Sequence, residues 1–158
     1  MMKKIKIHMI KGLWFYGMSN AGKTFASNYL AKIIKKPVLI IDGDFVRKYI
    51  SNDLGYALND RKIQIKRVFG ICKISIKSKI FPIISTVYMN KSLQKKLNRD
   101  KIKLIEITRE KKQLFKKKTY KEKKNIVGVD IKINKLKTKK IFNTGDIKFC
   151  KELKKLIS

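Results

Sequence analysis

Gly17-Met18-Ser19-Asn20-Ala21-Gly22-Lys23-Thr24 restricts the possible folds of this chain more than any other stretch. It is G-x-x-x-x-G-K-[ST], the pattern of a phosphate-binding loop, or P-loop. Leu13-Trp14-Phe15-Tyr16 precedes it and reads as a buried strand. Phe25, Ala26, Tyr29, Leu30, Ile33 and Ile34 follow it at the spacing of one helical face. The glycines let the backbone bend until successive N–H groups face one anion. The helix N-terminus adds its dipole. Lys23 would reach the outer phosphates of ATP, and the Thr24 hydroxyl would help hold Mg²⁺.

Strands and helices keep alternating downstream. Lys35-Lys36-Pro37 breaks the first helix, and Val38-Leu39-Ile40-Ile41 is a continuous apolar run, as expected of a parallel strand buried on both faces. It ends in Asp42-Gly43-Asp44. Ligand groups in open α/β sheets gather at the carboxyl ends of strands, so these carboxylates arrive beside the P-loop. A short helix over Phe45 to Ile50 would place Asp44 and Arg47 on one face. The plain alternative is that Asp42, Asp44 and Arg47 form only an ion-pair network. Asn52 to Tyr56 reads as a turn and Asn59-Asp60 as a helix cap. A helix then runs through Ile63, Ile65, Val68, Phe69, Ile71, Cys72, Ile74 and Ile76, with Arg61, Lys66 and Arg67 on other faces. Ile80 to Val87 predicts a third core strand, Lys91 to Arg99 a helix, and Leu104 to Ile107 a short strand. Thr108 to Lys124 is rich in lysine and reads as a solvated helix, a loop, or a lid that closes positive charge over phosphates. Asn125 to Asp130 is an apolar turn segment. Lys139 to Asn143 predicts a last strand. Asp146 to Ile157 predicts a final helix with Phe149, Cys150, Leu153, Leu156 and Ile157 inward. Lys3 to Ile7 is either a lead-in or an extra edge strand. The sum is one α/β domain, residues 1–158, with a mainly parallel sheet.

The charge narrows the partners. Lys and Arg number 41 against 11 Asp and Glu, a net +30. That balance suits nucleic acid, an anionic membrane surface or small anionic substrates. The lysines are spread along the chain rather than gathered into one arm, which disfavours a dedicated nucleic-acid surface. No run approaches the roughly 20 apolar residues of a membrane span, and Met1 to Ile10 lacks the apolar core of a signal peptide. Cys72, Cys150 and His8 offer neither a disulfide scaffold nor a zinc set. The expected compartment is the reducing cytoplasm.

With those residues in view, the chain resembles the adenylylsulfate (APS) kinases, P-loop kinases that make PAPS from APS with Mg-ATP. Asp42-Gly43-Asp44-x-Val46-Arg47 resembles the family's D-G-D-N-V-R, and Asp53-Leu54-Gly55-Tyr56 its D-L-G-F. Asp60-Arg61 with Lys66-Arg67-Val68 resembles D-R-x-x-N-x-R-R-V. Leu114-Phe115-x-Lys117 resembles the K-G-L-Y-x-K lid, with Lys112 at its first lysine, and Val127-Gly128-Val129-Asp130 resembles T-G-I-D. The likeness runs from Leu13 to Asp130. It implies a P-loop NTPase-like three-layer fold with helices on both faces of the sheet and a lid at about 109–130.

The resemblance also implies roles. Gly17 to Thr24 would bind ATP, with Lys23 catalytic and Thr24 on Mg²⁺. Asp44 would orient the attacking ribose 3′-hydroxyl or accept its proton. Arg47 and Arg61 would hold the phosphosulfate, and Tyr56 would stack on the base. Gln64, Val87 and Lys112 would complete the substrate site, Lys112 from the lid. A homodimer is the family's common assembly. Departures stand at Phe45, Gln64, Tyr88 and Ile126, the last where an aromatic wall is usual. The stretch between Arg99 and Arg109 is short, with Lys103 to Thr108 in place of a full strand and part of a helix. Ser85-Thr86-Val87 and Asn125 to Asp130 better resemble a branch that phosphorylates cytidine diphosphoramidate in capsule modification, the alternative activity. A further alternative is an inactive basic relative that binds nucleotides or nucleic acid.

Overall fold

A computed structural model of the chain describes residues 7–122 and 124–158. The lead-in or strand considered from Lys3 lies outside the described residues as far as Lys6, and Ile7–Met9 form one turn of 3-10 helix. Five parallel strands make one sheet in the order β2-β3-β1-β4-β5. They are β1 (Gly12–Tyr16), β2 (Val38–Asp42), β3 (Phe81–Thr86), β4 (Ile102–Arg109) and β5 (Lys139–Asn143). β1 lies at the centre, with Leu13 opposite Ile83 on β3 and Lys103 on β4.

Alternation along β1 makes three layers. Leu13 and Phe15 face one core, with Ala26 and Leu30 of α1 (Lys23–Ile33) and Phe149 and Leu153 of α7 (Ile147–Lys154). Trp14 and Tyr16 face the other. That core holds Val46 of α2 (Gly43–Tyr49), Ile65, Val68 and Cys72 of α3 (Leu58–Lys77), and Leu93 and Leu97 of α4 (Lys91–Arg99). Each large apolar side chain fully buried in this way is worth about 1.5–3 kcal/mol. Such burial on both faces explains why the central strands read as unbroken apolar runs. No helix among the described residues is long and apolar enough to cross a membrane.

Several elements differ from the sequence expectation. β4 has eight residues and pairs with both β1 and β5, so the short stretch before Arg109 still holds a complete strand. Sheet pairing on both sides extends it beyond its apolar centre. α3 starts at Leu58 with Ala57 as its N-cap and no side-chain cap, which leaves Asp60 inside the first turn. Its buried face carries Arg61 and Gln64 beside Ile65, Val68 and Cys72, while Ile63 and Ile74 are exposed. Apolar periodicity missed this because a polar cavity borders the helix's first turns. Phe25, expected inward, is 53% exposed. Thr108 and Arg109 belong to β4, and the segment after them folds into α5 (Lys111–Leu114) and α6 (Thr119–Glu122). α7 is shorter than expected. Asp146 is its N-cap, and Leu156 is buried in the turn that follows.

Parallel strands put all their carboxyl ends on one edge of the sheet. There β1 delivers the P-loop, β2 delivers Asp42 to Asp44, and β3 delivers Thr86 and Val87.

Candidate active site

The P-loop leaves β1 through backbone that only glycine adopts readily. Gly17 has φ 146° and Gly22 φ 102°. A Cβ at Gly17 would fall 2.2 Å from the Ile107 carbonyl oxygen, and one at Gly22 would fall 2.3 Å from Asn143 Nδ2. Asn143, at the end of β5, braces the loop by donating to the Ala21 carbonyl at 2.8 Å. Ala26 N–H is bonded to the Gly22 carbonyl at 3.0 Å. The N–H groups of Lys23, Thr24 and Phe25 therefore start the helix without helical partners, as an anion site needs.

Lys23 is buried and its ammonium donates to the Met18 carbonyl at 2.7 Å. Burial pushes it down to about 8, against the opposing pull of Asp44 and Asp42. Such a cation is desolvated and favours a phosphate that would restore its charge. Thr24 Oγ1 donates to Asp42 Oδ2 at 2.9 Å, and Asp42 Oδ1 accepts from Asp44 N–H at 2.9 Å. Asp42, the N-cap of α2, thus ties the P-loop hydroxyl to the first turn of that helix. Hydroxyl and carboxylate oxygens in one place are the donor chemistry Mg²⁺ prefers.

A cavity of about 330 Å³ opens in front of these groups. At one end lie Ser19, Asn20, Lys23 and Thr24; at the other lie Arg47, Tyr56, Arg61 and Gln64; Asp44 and Val87 also line it. Gly22 also lines it, whereas Gly17, Met18 and Ala21 are not among the lining residues. Arg47 Nη1 donates to the Gly55 carbonyl at 2.5 Å. Arg61 donates through Nε to the Tyr56 carbonyl at 3.0 Å and through Nη2 to the Asn125 carbonyl at 2.9 Å. The guanidinium carbons of Arg47 and Arg61 lie 4.4 and 5.5 Å from the centre of the Tyr56 ring. Burial, and next the neighbouring Arg47, pull the Arg61 pKa down. Both arginines direct their hydrogen bonds to carbonyls rather than to Asp42 or Asp44, so the ion-pair network considered from sequence does not consume them. Gln64 Nε2 donates to the Gly43 carbonyl at 3.1 Å, while its buried Oε1 has no partner among the described residues.

The segment expected to form the lid rests on the P-loop. Asn20 Nδ2 donates to the Gln113 carbonyl at 2.8 Å, Tyr120 Oη to the Ser19 carbonyl at 2.6 Å, and Lys117 Nζ to Ser19 Oγ at 3.3 Å. Arg109 Nη1 adds a bond to the Asn20 carbonyl at 3.2 Å. Lys112 departs from expectation: it is exposed on α5 and does not line the cavity. Lys117 and Lys124 line it instead, because Asn20 and Tyr120 anchor the segment on either side of Lys117. The missed Lys117 was legible as the second lysine of the lid pattern. Phe25, Tyr120 and Asn143 carried no motif that would have singled them out.

Known proteins resemble the chain in sequence and in fold. An adenylyl-sulfate kinase of Chloroflexus aurantiacus is 33% identical over 78 residues, which are 48% of this chain and 42% of that protein. One from Buchnera aphidicola is 29% identical over 100 residues, 60% of this chain and 47% of that protein. The match to each therefore spans about half the relative's length or less. Among solved structures, the APS kinase of Mycobacterium tuberculosis in complex with AMPPNP and APS superposes with TM-score 0.79 at 16% identity. That alignment covers 94% of this chain and 98% of the other, a likeness of fold. The family model described as adenylylsulphate kinase matches residues 10–141, and the chain belongs to that family.

Proposed function

We propose that this chain transfers the terminal phosphate of ATP to the ribose 3′-hydroxyl of adenylylsulfate. The observation that carries this reading is one cavity with a phosphate end and an anion-reading end, with Asp44 among its lining residues. Lys23 and the P-loop N–H groups would hold the donor phosphates. Thr24 and Asp42 would hold Mg²⁺, which would supply charge neutralisation on the phosphates when bound. Asp44, exposed in the cavity, would orient the attacking hydroxyl and take its proton. Arg47 and Arg61 would grip the phosphosulfate, since their forks suit doubly charged oxyanions. Tyr56 would offer its ring to the base, and Gln64 and Val87 would border the sugar. Lys117 and Lys124 take over the lid role first assigned to Lys112. The chain would act as one kinase domain, with 109–130 as its lid. Positioning and charge neutralisation are most of what phosphoryl transfer requires.

The relatives' names disfavour both the cytidine diphosphoramidate reading and the non-catalytic basic module. A substrate panel with Mg-ATP tests all three. Turnover is expected on adenylylsulfate, with loss of about a thousandfold in Lys23→Ala and Asp44→Asn. Preference for the cytidine substrate, or salt-sensitive binding without turnover, would replace the reading. Full turnover by Asp44→Asn would remove that carboxylate from the mechanism.

A further inference from the structure

We propose that Phe25 is the shelf on which the nucleoside of the phosphate donor rests. Phe25 directly follows Thr24, lines the cavity and is 53% exposed. About half of the Phe25 ring stays outside the core, which Ala26 and Leu30 of the same helix enter fully. Its ring is nonetheless held. It stacks on Phe149 with centroids 5.9 Å apart and planes 27° apart, and on Tyr29 at 6.2 Å and 9°. Phe149 is itself 2% exposed and packs near Gly22. A buried ring thus fixes the position of a half-exposed one, so little freedom remains to be lost when a ligand stacks.

The direction of the donor follows from the charges. Lys23 and Thr24 line the cavity with Asp42 and Asp44, and Asp42 bonds both the Thr24 hydroxyl and the Asp44 N–H, so the transferred phosphate belongs there, beside the acceptor end of the cavity. The inner phosphates then lie along the unpartnered N–H groups that begin α1, the last of which is Phe25's own. The residue whose backbone would meet the phosphate nearest the ribose therefore also carries an apolar ring. A ribose or base leaving that phosphate meets it first. Stacking tolerates any base, because every base offers a π-face. Phe25 would then strengthen nucleoside triphosphates as a class rather than select adenine.

This inference rests on the kinase reading for its choice of ATP as donor. The test is calorimetric titration of wild type, Phe25→Leu and Phe25→Ala with ATP, GTP and inorganic tripolyphosphate. Phe25→Leu keeps apolar packing on Phe149 and loses only the aromatic face. Both variants are expected to bind ATP and GTP about tenfold more weakly and tripolyphosphate as the wild type does. Unchanged ATP affinity in both variants would overturn the inference. So would an equal loss for ATP and tripolyphosphate, which would mean that Phe25 only shapes the loop. Wild type that binds ATP without phosphorylating any acceptor would end the kinase reading and leave the Phe25 result to be read on its own.

Discussion

The two ends of the cavity are built differently. The end proposed for the donor is mostly backbone: two glycines with positive φ, a helix N-terminus, and braces from Asn143 and Asp42. The end proposed for the acceptor is mostly side chain. Arg61 reaches across 64 positions to Asn125, and Arg47 and Arg61 crowd the Tyr56 ring. A backbone site depends on a few conformational positions and tolerates change elsewhere. A side-chain site depends on each residue's length and charge, and here also on Asn125, within the segment proposed as the lid. Departures from the family pattern at Phe45, Gln64 and Ile126 accordingly fall on the acceptor side or around it, whereas the P-loop keeps its full pattern.

That contrast can be broken at the donor end first. Gly17→Ala should have the largest effect, since its Cβ has no room against Ile107 and the backbone φ is unfavourable. ATP affinity is expected to fall at least a hundredfold, roughly the effect of 2–3 kcal/mol of strain. Calorimetry with parallel thermal unfolding separates loss of the site from loss of the fold. Wild-type affinity would show that the loop accommodates a side chain at Gly17 and that its φ there is not required for binding.

Next comes the acceptor end. Arg61→Lys keeps the charge but loses the fork that joins the Tyr56 and Asn125 carbonyls. Hydrogen bonds from charged donors are worth about 1.5–3 kcal/mol, so the acceptor KM should rise about tenfold or more. The ATP KM should hold within about twofold if the two ends are independent. Initial rates with each substrate varied decide this, and an equal rise in both constants would dissolve the distinction.

Smaller effects should follow pH. Phosphate favours the charged form of Lys23, so ATP affinity should decline as pH rises through about 8. The folded value lies below the unfolded 10.5, so the unfolded chain binds more protons between about 8 and 10.5. Lys23's contribution to stability therefore rises with pH across that window. Lys23→Met should flatten both dependences, and profiles unchanged in that variant would assign them to another group. The smallest expected effect is Tyr120→Phe, which removes the bond to the Ser19 carbonyl, worth about 0.5–1.5 kcal/mol. Amide exchange in residues 111–122 should quicken by about threefold to tenfold, with little change in the P-loop itself.

Much of the scaffold was legible in the residues. β1 and β3 stood out because strands buried on both faces are continuous apolar runs, and α4 because Leu93 and Leu97 keep helical spacing. β2 carries the same kind of run, but it is an edge strand with Leu39 exposed, so the burial on both faces expected of it is not found. The ends of β4 were not legible, since Lys103 and Glu106 interrupt its apolar pattern and only pairing with β1 and β5 makes it a full strand. The inward face of α3 was misjudged for a related reason. Periodicity counts apolar side chains, and Arg61 and Gln64 are buried by a cavity and its carbonyls, not by a core. Lys112 and Lys117 could not be ranked from spacing alone, because contacts of Asn20, Ser19 and Tyr120 set how the lid lies.

The sequence by itself determined that a phosphate loop joins a buried strand to a helix, and that paired carboxylates end the next apolar strand. Both follow from local chemistry: glycine conformation, apolar runs and caps act within a few residues. Only the tertiary structure decided what faces the cavity. Whether Arg61 is a surface charge or a buried one, whether Lys112 or Lys117 reaches the cavity, and whether Phe25 enters the core or lines the cavity depend on residues far away in the chain. Asn125, Ser19 and Phe149 make those decisions, and no local pattern contains them.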